Sequence, residues 1–183
     1  MDYKEFLEDR LKGIGGSDAP IILGRCPYQT PFSVWQIKTR KKAISLDRSY
    51  PATRGTNLEP AARSMYEINH GDFEDFPSKQ FIHKEYNYLF ANLDGWNEKK
   101  KIILEIKCPL NKERHQDASN GVIPEHYIDQ LQHQLFVCTE AEKLHYFSYD
   151  DRDHTGYLVE VERDPTWAEE NLEKLKTFWE YNV

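Results

Sequence analysis

The residue types with the most chemical potential lie between positions 93 and 109. That stretch reads Leu93-Asp94-Gly95-Trp96-Asn97-Glu98-Lys99-Lys100-Lys101-Ile102-Ile103-Leu104-Glu105-Ile106-Lys107-Cys108-Pro109. On a strand, Ile103, Glu105 and Lys107 point to one face and Ile102, Leu104 and Ile106 to the other. Glu105 therefore sits inside an otherwise apolar run, where a buried carboxylate is costly without a cation or hydrogen-bond donors. Asp94 ends the preceding strand, and a hairpin turn over 94–97 folds it back toward Glu105. Two converging carboxylates with a lysine two residues on make a hard-oxygen site for Mg²⁺, with Mn²⁺ as a substitute. Phosphodiester hydrolysis with two metal ions uses that set: the ions activate water and neutralise charge, and an ammonium orients or helps deprotonate the nucleophile. Taken alone, Glu-x-Lys is an ion pair on an amphipathic strand and Asp-Gly a hairpin turn. The upstream aspartate and the apolar surround give the chemical reading its weight.

Three further groups extend this set. Arg54-Gly55-Thr56-Asn57-Leu58-Glu59 opens a helix, and Glu59 in its first turn suits the macrodipole or supplies another metal or water ligand. Along Pro124–Gln134, Tyr127, Gln130 and Gln134 share one helical face, from which they can donate to phosphate oxygens or place a water. Arg10 precedes Ser17 by seven residues with Gly13, Gly15 and Gly16 between. Glycines, a helix N-terminus, a hydroxyl and a guanidinium together form a phosphate pocket. Lys38, Arg40, Lys41, Lys42, Arg48 and Arg54 face only Asp47 over residues 36–54, and Lys99–Lys101 add a second basic patch fit to grip a DNA backbone. Cysteine nucleophile chemistry is a poor fit, since Cys108 has no evident histidine partner and the seven histidines lack zinc-site spacing.

Composition bounds the partners less than it first suggests. The 183 residues carry a net charge of −7, which alone opposes a polyanionic partner. Residues 139–183, however, hold 12 acidic and 5 basic side chains, while residues 1–138 hold 19 of each. The excess negative charge belongs to the last quarter, so a binding face in the first three quarters stays open. With 39% hydrophobic and 30% charged residues the chain reads as globular, and its apolar runs are too short to span a membrane. No signal peptide is evident at Met1-Asp2-Tyr3-Lys4-Glu5, and three scattered cysteines suit reduced thiols, so a cytoplasmic location is expected.

These residues need elements to hold them. A helix is expected over 2–10. Ser17 serves as N-cap of a second helix, and Thr30-Pro31 opens a third to about Lys41. A longer helix runs from about Asn57 to His70, closed by Gly71. The period then changes to alternation, predicting strands over Lys79–Tyr86, Tyr88–Leu93 and Lys101–Lys107. Pro124 opens a helix to about Cys138 with Ile128, Leu131, Leu135 and Cys138 as its apolar stripe. Strands over Lys143–Tyr149 and Gly156–Glu162 follow, and Asp164-Pro165 caps a final helix. The fold class is α/β (α+β): a central mixed β-sheet flanked by helices. One domain over 1–183 is expected, with N-terminal helices 1–75, a sheet core 76–163 and a C-terminal helix 164–183.

Together these pieces resemble the YqaJ-type viral recombinase family, the lambda exonuclease-like branch of the PD-(D/E)xK nucleases. The matching stretches are Arg10…Ile14-Gly15-Gly16-Ser17-Asp18, Gly55-Thr56-Asn57-Leu58-Glu59, Leu93-Asp94-Gly95, Leu104-Glu105-Ile106-Lys107-Cys108-Pro109 and Pro124–Gln132, with 145–150 and 159–164 trailing. The combination in this order, over roughly residues 10–165, makes it specific. The resemblance implies a restriction-endonuclease-like core and a Mg²⁺-requiring nuclease that degrades double-stranded DNA ends. It implies that Asp94, Glu105 and the main-chain carbonyl of Ile106 bind metal and that Lys107 acts on the attacking water. Glu59 would be an additional metal or water ligand, Tyr127 and Gln130 would sit by the scissile phosphate, and Arg10 and Ser17 would take a DNA-end phosphate. It also implies a single-strand annealing protein as partner, a ring-shaped trimer, and a phage-bearing or virus-infected host cell. Against a 5′→3′ exonuclease stand a structure-specific or nicking endonuclease of the same superfamily and a non-enzymatic module that binds DNA ends or a partner protein. The iron–sulfur relatives are disfavoured because three scattered cysteines cannot ligate their cluster.

Overall fold

The computed structural model describes residues 3–43 and 49–183; Asp47 and Arg48 of the expected basic patch lie outside the described residues. The chain begins with α1 (Tyr3–Asp9), a 3₁₀ turn (Arg10–Lys12), α2 (Ala19–Ile22) and α3 (Pro31–Lys38). Thr30 and Ser33 cap α3 reciprocally. Thr30 Oγ1 accepts from the Ser33 amide at 3.3 Å and Ser33 Oγ from the Thr30 amide at 3.2 Å, which fixes the expected start at Pro31. The same expectation fails at α2. Asp18, not Ser17, precedes that helix, and neither caps it with its side chain. The Asp18 carboxylate instead accepts from the Gly15 amide at 3.0 Å and from cations described below.

The long helix α4 (Tyr50–Asn69) begins seven residues before the expected Asn57. Pro51 is compatible with a first helical turn, and the half-buried Gly55 and exposed Thr56 are carried through the interior at the modest cost of a helical glycine, about 1 kcal/mol. Glu59 thus lies in mid-helix, and the macrodipole account of its position does not apply.

Two sheets follow. Strands β1 (Lys79–Ile82) and β2 (Phe90–Leu93) pair antiparallel, shorter than the expected Lys79–Tyr86 and Tyr88–Leu93 because residues 83–89 turn between them. Strands β3 (Gly95–Asn97), β4 (Ile102–Lys107), β5 (Lys143–Asp150) and β6 (Thr155–Val161) form the second sheet in that order. The β4–β5 pair is parallel and the others antiparallel, so the expected mixed sheet is present. The hairpin turn lies one element later than expected. Gly95–Asn97 is strand, and the turn to β4 is made by residues 98–101, which includes all three lysines. Asp94 is consequently a one-residue bend between strands of different sheets rather than a turn residue.

The parallel connection from β4 to β5 runs through α5 (Lys112–Ser119), which sequence periodicity did not predict, and α6 (Glu125–Val137). Helix α7 (Trp167–Thr177) closes the chain with a short π-helical end (Phe178–Asn182). The predicted alternation of β4 holds. Ile102, Leu104 and Ile106 pack with Ala62 and Tyr66 of α4, whereas Ile103 joins Leu131 and Leu135 of α6 in the other core cluster. Glu105, on the Ile103 face, therefore points at α6 and is 2% exposed. Ile128, expected on the α6 stripe, is 38% exposed, so the buried stripe is Leu131, Leu135 and Cys138. The three cysteines are unpaired. Among the described residues no helix is long and apolar enough to cross a membrane.

Candidate active site

The bend at Asp94 has a local cause. Pairing of β3 with β4 ends at Gly95 opposite Leu104, and the amide of Ile106 beyond it is taken by Asp94 Oδ2 at 2.8 Å. Glycine at 95 allows this approach, since a Cβ there would stand 3.0 Å from the Cβ of Leu104 and from Cβ and O of Phe76. Arg63, reaching from α4, donates to the carbonyls of Asp94 and Phe76 through Nη1 and to Glu59 Oε1 through Nη2 at 2.6 Å. The carboxylate is thus aimed by an amide on one side and a guanidinium behind.

Glu105 is the most heavily held group. Its Oε1 accepts from Lys107 Nζ and, at 2.7 Å, from Gln130 Nε2; its Oε2 accepts from Gln134 Nε2 at 2.6 Å. Charge-assisted bonds of this kind offset the cost of burying a carboxylate. Lys107 Nζ also stands 5.0 Å from the ring centre of Tyr127. Burial and the nearby charge of Glu105 raise Asp94 well above the usual carboxylate range, against the opposing pull of Lys107 and the Ile106 amide. Burial works against the Lys107 ammonium, yet Glu105 and Asp94 outweigh it and hold its pKa above the ordinary lysine value. The Cys108 thiol is pushed up to about 11, chiefly by burial, which keeps it protonated and supports its exclusion as nucleophile.

A cleft of about 210 Å³ is lined by Glu59, Asp94, Glu105, Ile106, Lys107 and Gln130, among others. A neighbouring cleft of about 420 Å³ shares Glu59, Asp94 and Gln130 and extends to Arg10, Gly16 and Ser17. The expected metal and water groups therefore line one connected depression with Arg10 and Ser17, whereas Tyr127 is not among its lining residues and stands behind Lys107. At its far end Arg10 Nη2 donates to Ser17 Oγ at 2.9 Å and to Asp18 Oδ1 at 3.0 Å. Two expected basic contacts go elsewhere. Arg54 donates to the Cys108 carbonyl at 2.9 Å and pairs with Asp151, so it anchors the end of β4. Lys38 is 8% exposed and bonds Asp18 Oδ2 at 2.7 Å, which removes it from any surface patch because its ammonium has no open face.

Among the described residues no group of three or more His, Cys, Asp or Glu side chains converges as a metal cage. What the cleft offers is the carboxylates of Asp94 and Glu105, with Asp94 raised by burial and then by the Glu105 charge, together with the Ile106 main chain and space for water. That donor set fits Mg²⁺ or Mn²⁺, which take one or two carboxylates and keep several waters. Glu59 lines the same cleft and is paired with Arg63. Arg63 and the buried role of Gln134 were not assigned from sequence; the i, i+4 spacing of Glu59 and Arg63 was the available signal for the former. Gln134 is 1% exposed, and its amide fixes the Glu105 oxygen that Lys107 and Gln130 leave open. Replacing Gln134 by leucine is expected to weaken Mg²⁺ binding by about 10–100-fold, the usual effect of losing an outer partner of a metal ligand. Isothermal titration checks this, and an unchanged Kd would remove the assigned role.

The model of the YqaJ-like viral recombinase domain family matches residues 5–142. An uncharacterized protein, YqaJ of Bacillus subtilis (strain 168), is 35% identical over 185 residues, covering 100% of this chain and 57% of that protein. The chain thus spans little more than half the length of that curated relative. Among solved structures, an alkaline exonuclease (LHK-Exo) from Laribacter hongkongensis superposes with a TM-score of 0.77 at 25% identity, over 96% of this chain and 90% of that one. The same enzyme in complex with dAMP matches with the same values. A phage-related exonuclease from Haemophilus somnus 129PT matches in fold, with a TM-score of 0.70 at 12% identity over 93% of each chain. The fold is that of the PD-(D/E)xK alkaline exonucleases, as the sequence motifs imply.

Proposed function

The chain belongs to the YqaJ-like viral recombinase domain family, and on that premise we propose that it is a metal-dependent deoxyribonuclease degrading linear duplex DNA from its ends, 5′→3′, in phage-type recombination. The observation that carries this reading is the placement of Asp94, Glu105 and Lys107 in one depression with Arg10 and Ser17. The alkaline exonuclease whose fold it shares, one structure of which holds dAMP, supports DNA as the substrate.

Asp94, Glu105 and the carbonyl of Ile106 would hold Mg²⁺, with Glu59 serving a second ion or a water. The metal supplies charge neutralisation on the phosphate and activation of the attacking water. Gln130 and Gln134 hold Glu105 in one orientation, so the carboxylate that would take the metal is fixed before substrate arrives. Lys107 keeps its proton on Nζ and, from beside Glu105, donates to the water or to a phosphate oxygen. Arg10 and Ser17 receive the terminal phosphate and set how far the strand reaches into the cleft. A single-strand annealing protein would take up the strand left behind, and a cytoplasmic site of action suits the three unpaired cysteines.

The test is nucleotide release from end-labelled linear duplex with Mg²⁺, run with 5′-phosphate and 5′-hydroxyl ends. Release from the 5′ strand is expected. Cutting of covalently closed circles would replace the exonuclease reading by an endonuclease one, and no hydrolysis of any form would end both. Arg10→Ala should lose most of the preference for phosphorylated ends while leaving Mg²⁺ affinity within about twofold, since charge-assisted phosphate contacts are worth roughly 1.5–3 kcal/mol. Equal wild-type activity on both kinds of end removes the basis for the pocket.

A further inference from the structure

A second cluster begins where the catalytic one stops. Lys107 Nζ stands beside the ring of Tyr127, and Tyr127 lies 4.1 Å, centre to centre, from the imidazole of His126. His126 in turn meets Tyr28 edge-on, at 5.7 Å and 90°. Arg114 Nη2 donates to the Tyr28 hydroxyl at 2.6 Å. Three separate pieces of chain converge here: the loop before α3, helix α5 and the first turn of α6. Tyr28 is tied down at its hydroxyl yet 64% exposed, so its ring is held in place without being buried. Burial and the positive charges of Arg114 and Lys107 hold the His126 pKa below the ordinary value, which keeps the imidazole neutral.

Fixed aromatic faces beside guanidinium and ammonium groups are how proteins hold unpaired nucleotides. The ring stacks on a base, and the cation stacks on it or pairs with its phosphate. We propose that Tyr28, Arg114 and His126 form a base-stacking subsite for an unpaired nucleotide of the bound strand, joined through Tyr127 to Lys107 of the cleft. This rests on the deoxyribonuclease reading. The subsite predicts that an end frayed by a nucleotide or two is captured by its base as well as by its phosphate. Tyr28 and Arg114 belong to none of the residues assigned to metal or water, so their replacement tests the subsite alone.

The experiment uses the full chain with Ca²⁺ in place of Mg²⁺ and two fluorescent single strands of equal length, one of thymidine nucleotides and one of abasic residues. Wild type should bind the thymidine strand about tenfold more tightly than the abasic one, the scale of a single base–aromatic stack. Tyr28→Ala should bring the two affinities together by weakening only the thymidine strand, Arg114→Ala should weaken the thymidine strand more than the abasic one because Tyr28 loses its tie, and Tyr28→Trp should keep the affinities apart. A wild type that does not distinguish the strands, or variants that weaken both equally, would overturn the subsite in favour of plain charge attraction or no site. Degradation of linear duplex by wild type, measured alongside, separates the two failures. Hydrolysis without base preference removes the subsite only, whereas absent hydrolysis removes the functional reading.

Discussion

Lys107→Ala should lower nucleotide release from linear duplex by about 10²–10⁴-fold, the range lost when a positioned proton donor or acceptor is removed. The same variant should bind Mg²⁺ at least as tightly as wild type. The sign follows from the site's charges: Lys107 is the cation bonded to Glu105 and it pulls down the pKa of Asp94. Taking it away leaves two facing carboxylates less neutralised, and their demand for a divalent cation grows. A structural lysine would behave differently, with activity and metal binding falling together as the β4 end loosened. Titration calorimetry beside a single-turnover assay separates these outcomes. A variant that hydrolyses DNA at the wild-type rate ends the catalytic assignment, and one with weakened Mg²⁺ binding ends the electrostatic argument.

Much of this site was legible because strand alternation and burial cost are local rules. Glu105 set among Ile102, Ile103, Leu104 and Ile106 announces a buried carboxylate, and the α6 face of Tyr127, Gln130 and Gln134 announces polar groups on one side. Both readings stand, and the two glutamines do meet Glu105. The position of Asp94 was legible in outcome and not in cause. Asp-Gly suggests a turn, but the pairing of β3 with β4 moves the turn to residues 98–101 and leaves Asp94 as a bend between sheets. That is a long-range matter of register, which no window of sequence contains. The start of α4 failed for the opposite reason: Gly55 and Thr56 weaken helix locally, whereas packing of Ala62 and Tyr66 against β4 and β5 stabilises the whole element. Helix α5 escaped notice because eight residues with two buried positions show little periodicity.

The basic residues show most plainly why charge counts along a chain mislead. Lys38 and Arg54 read as a DNA-gripping run with Arg40, Lys41 and Lys42, but two of those five cations are consumed inside the structure. Positive charge at the cleft comes instead from Lys107 and Arg10, with Arg63 bonded to Glu59 of its lining, residues far apart in sequence. With a divalent ion bound, the charge of Asp94 and Glu105 would be offset and the cleft would turn positive toward phosphate. The net charge of −7 is compatible with a polyanionic substrate on those terms.

The other large effect is expected in stability. Asp18 sits 4% exposed between Arg10 and Lys38: Oδ1 pairs with Arg10 at 3.0 Å, and Oδ2 with Lys38 at 2.7 Å and the Gly15 amide at 3.0 Å. Lys38 Nζ adds bonds to the carbonyls of Arg10 and Gly13 at 2.5 and 2.7 Å. Asp18→Ala therefore strands a buried ammonium on two carbonyls, and should cost about 3–5 kcal/mol, the usual result of removing one partner of a buried ion pair. Burial opposes ionisation of Asp18, but Arg10 and Lys38 outweigh it and lower its pKa. A carboxylate with a lowered folded pKa contributes stability that is full above its unfolded pKa of about 3.9 and is lost as pH falls through the folded value. The difference between wild type and Asp18→Ala should hold constant from neutrality to about pH 5 and shrink below about pH 4. Removing the two buried charges, in Asp18→Leu with Lys38→Met, should recover part of the loss, because no buried ammonium is left without its carboxylate and the part-exposed Arg10 can be solvated. Urea unfolding across this pH range checks all three statements. A single variant within about 0.5 kcal/mol of wild type, the ordinary range for a surface change, would show that the buried pair does not hold the N-terminal helices to the cleft. If the cost is as expected, the terminal-phosphate contact of Arg10 is built on the same carboxylate that stabilises the fold, and the double variant should be stable yet indifferent to the 5′-phosphate.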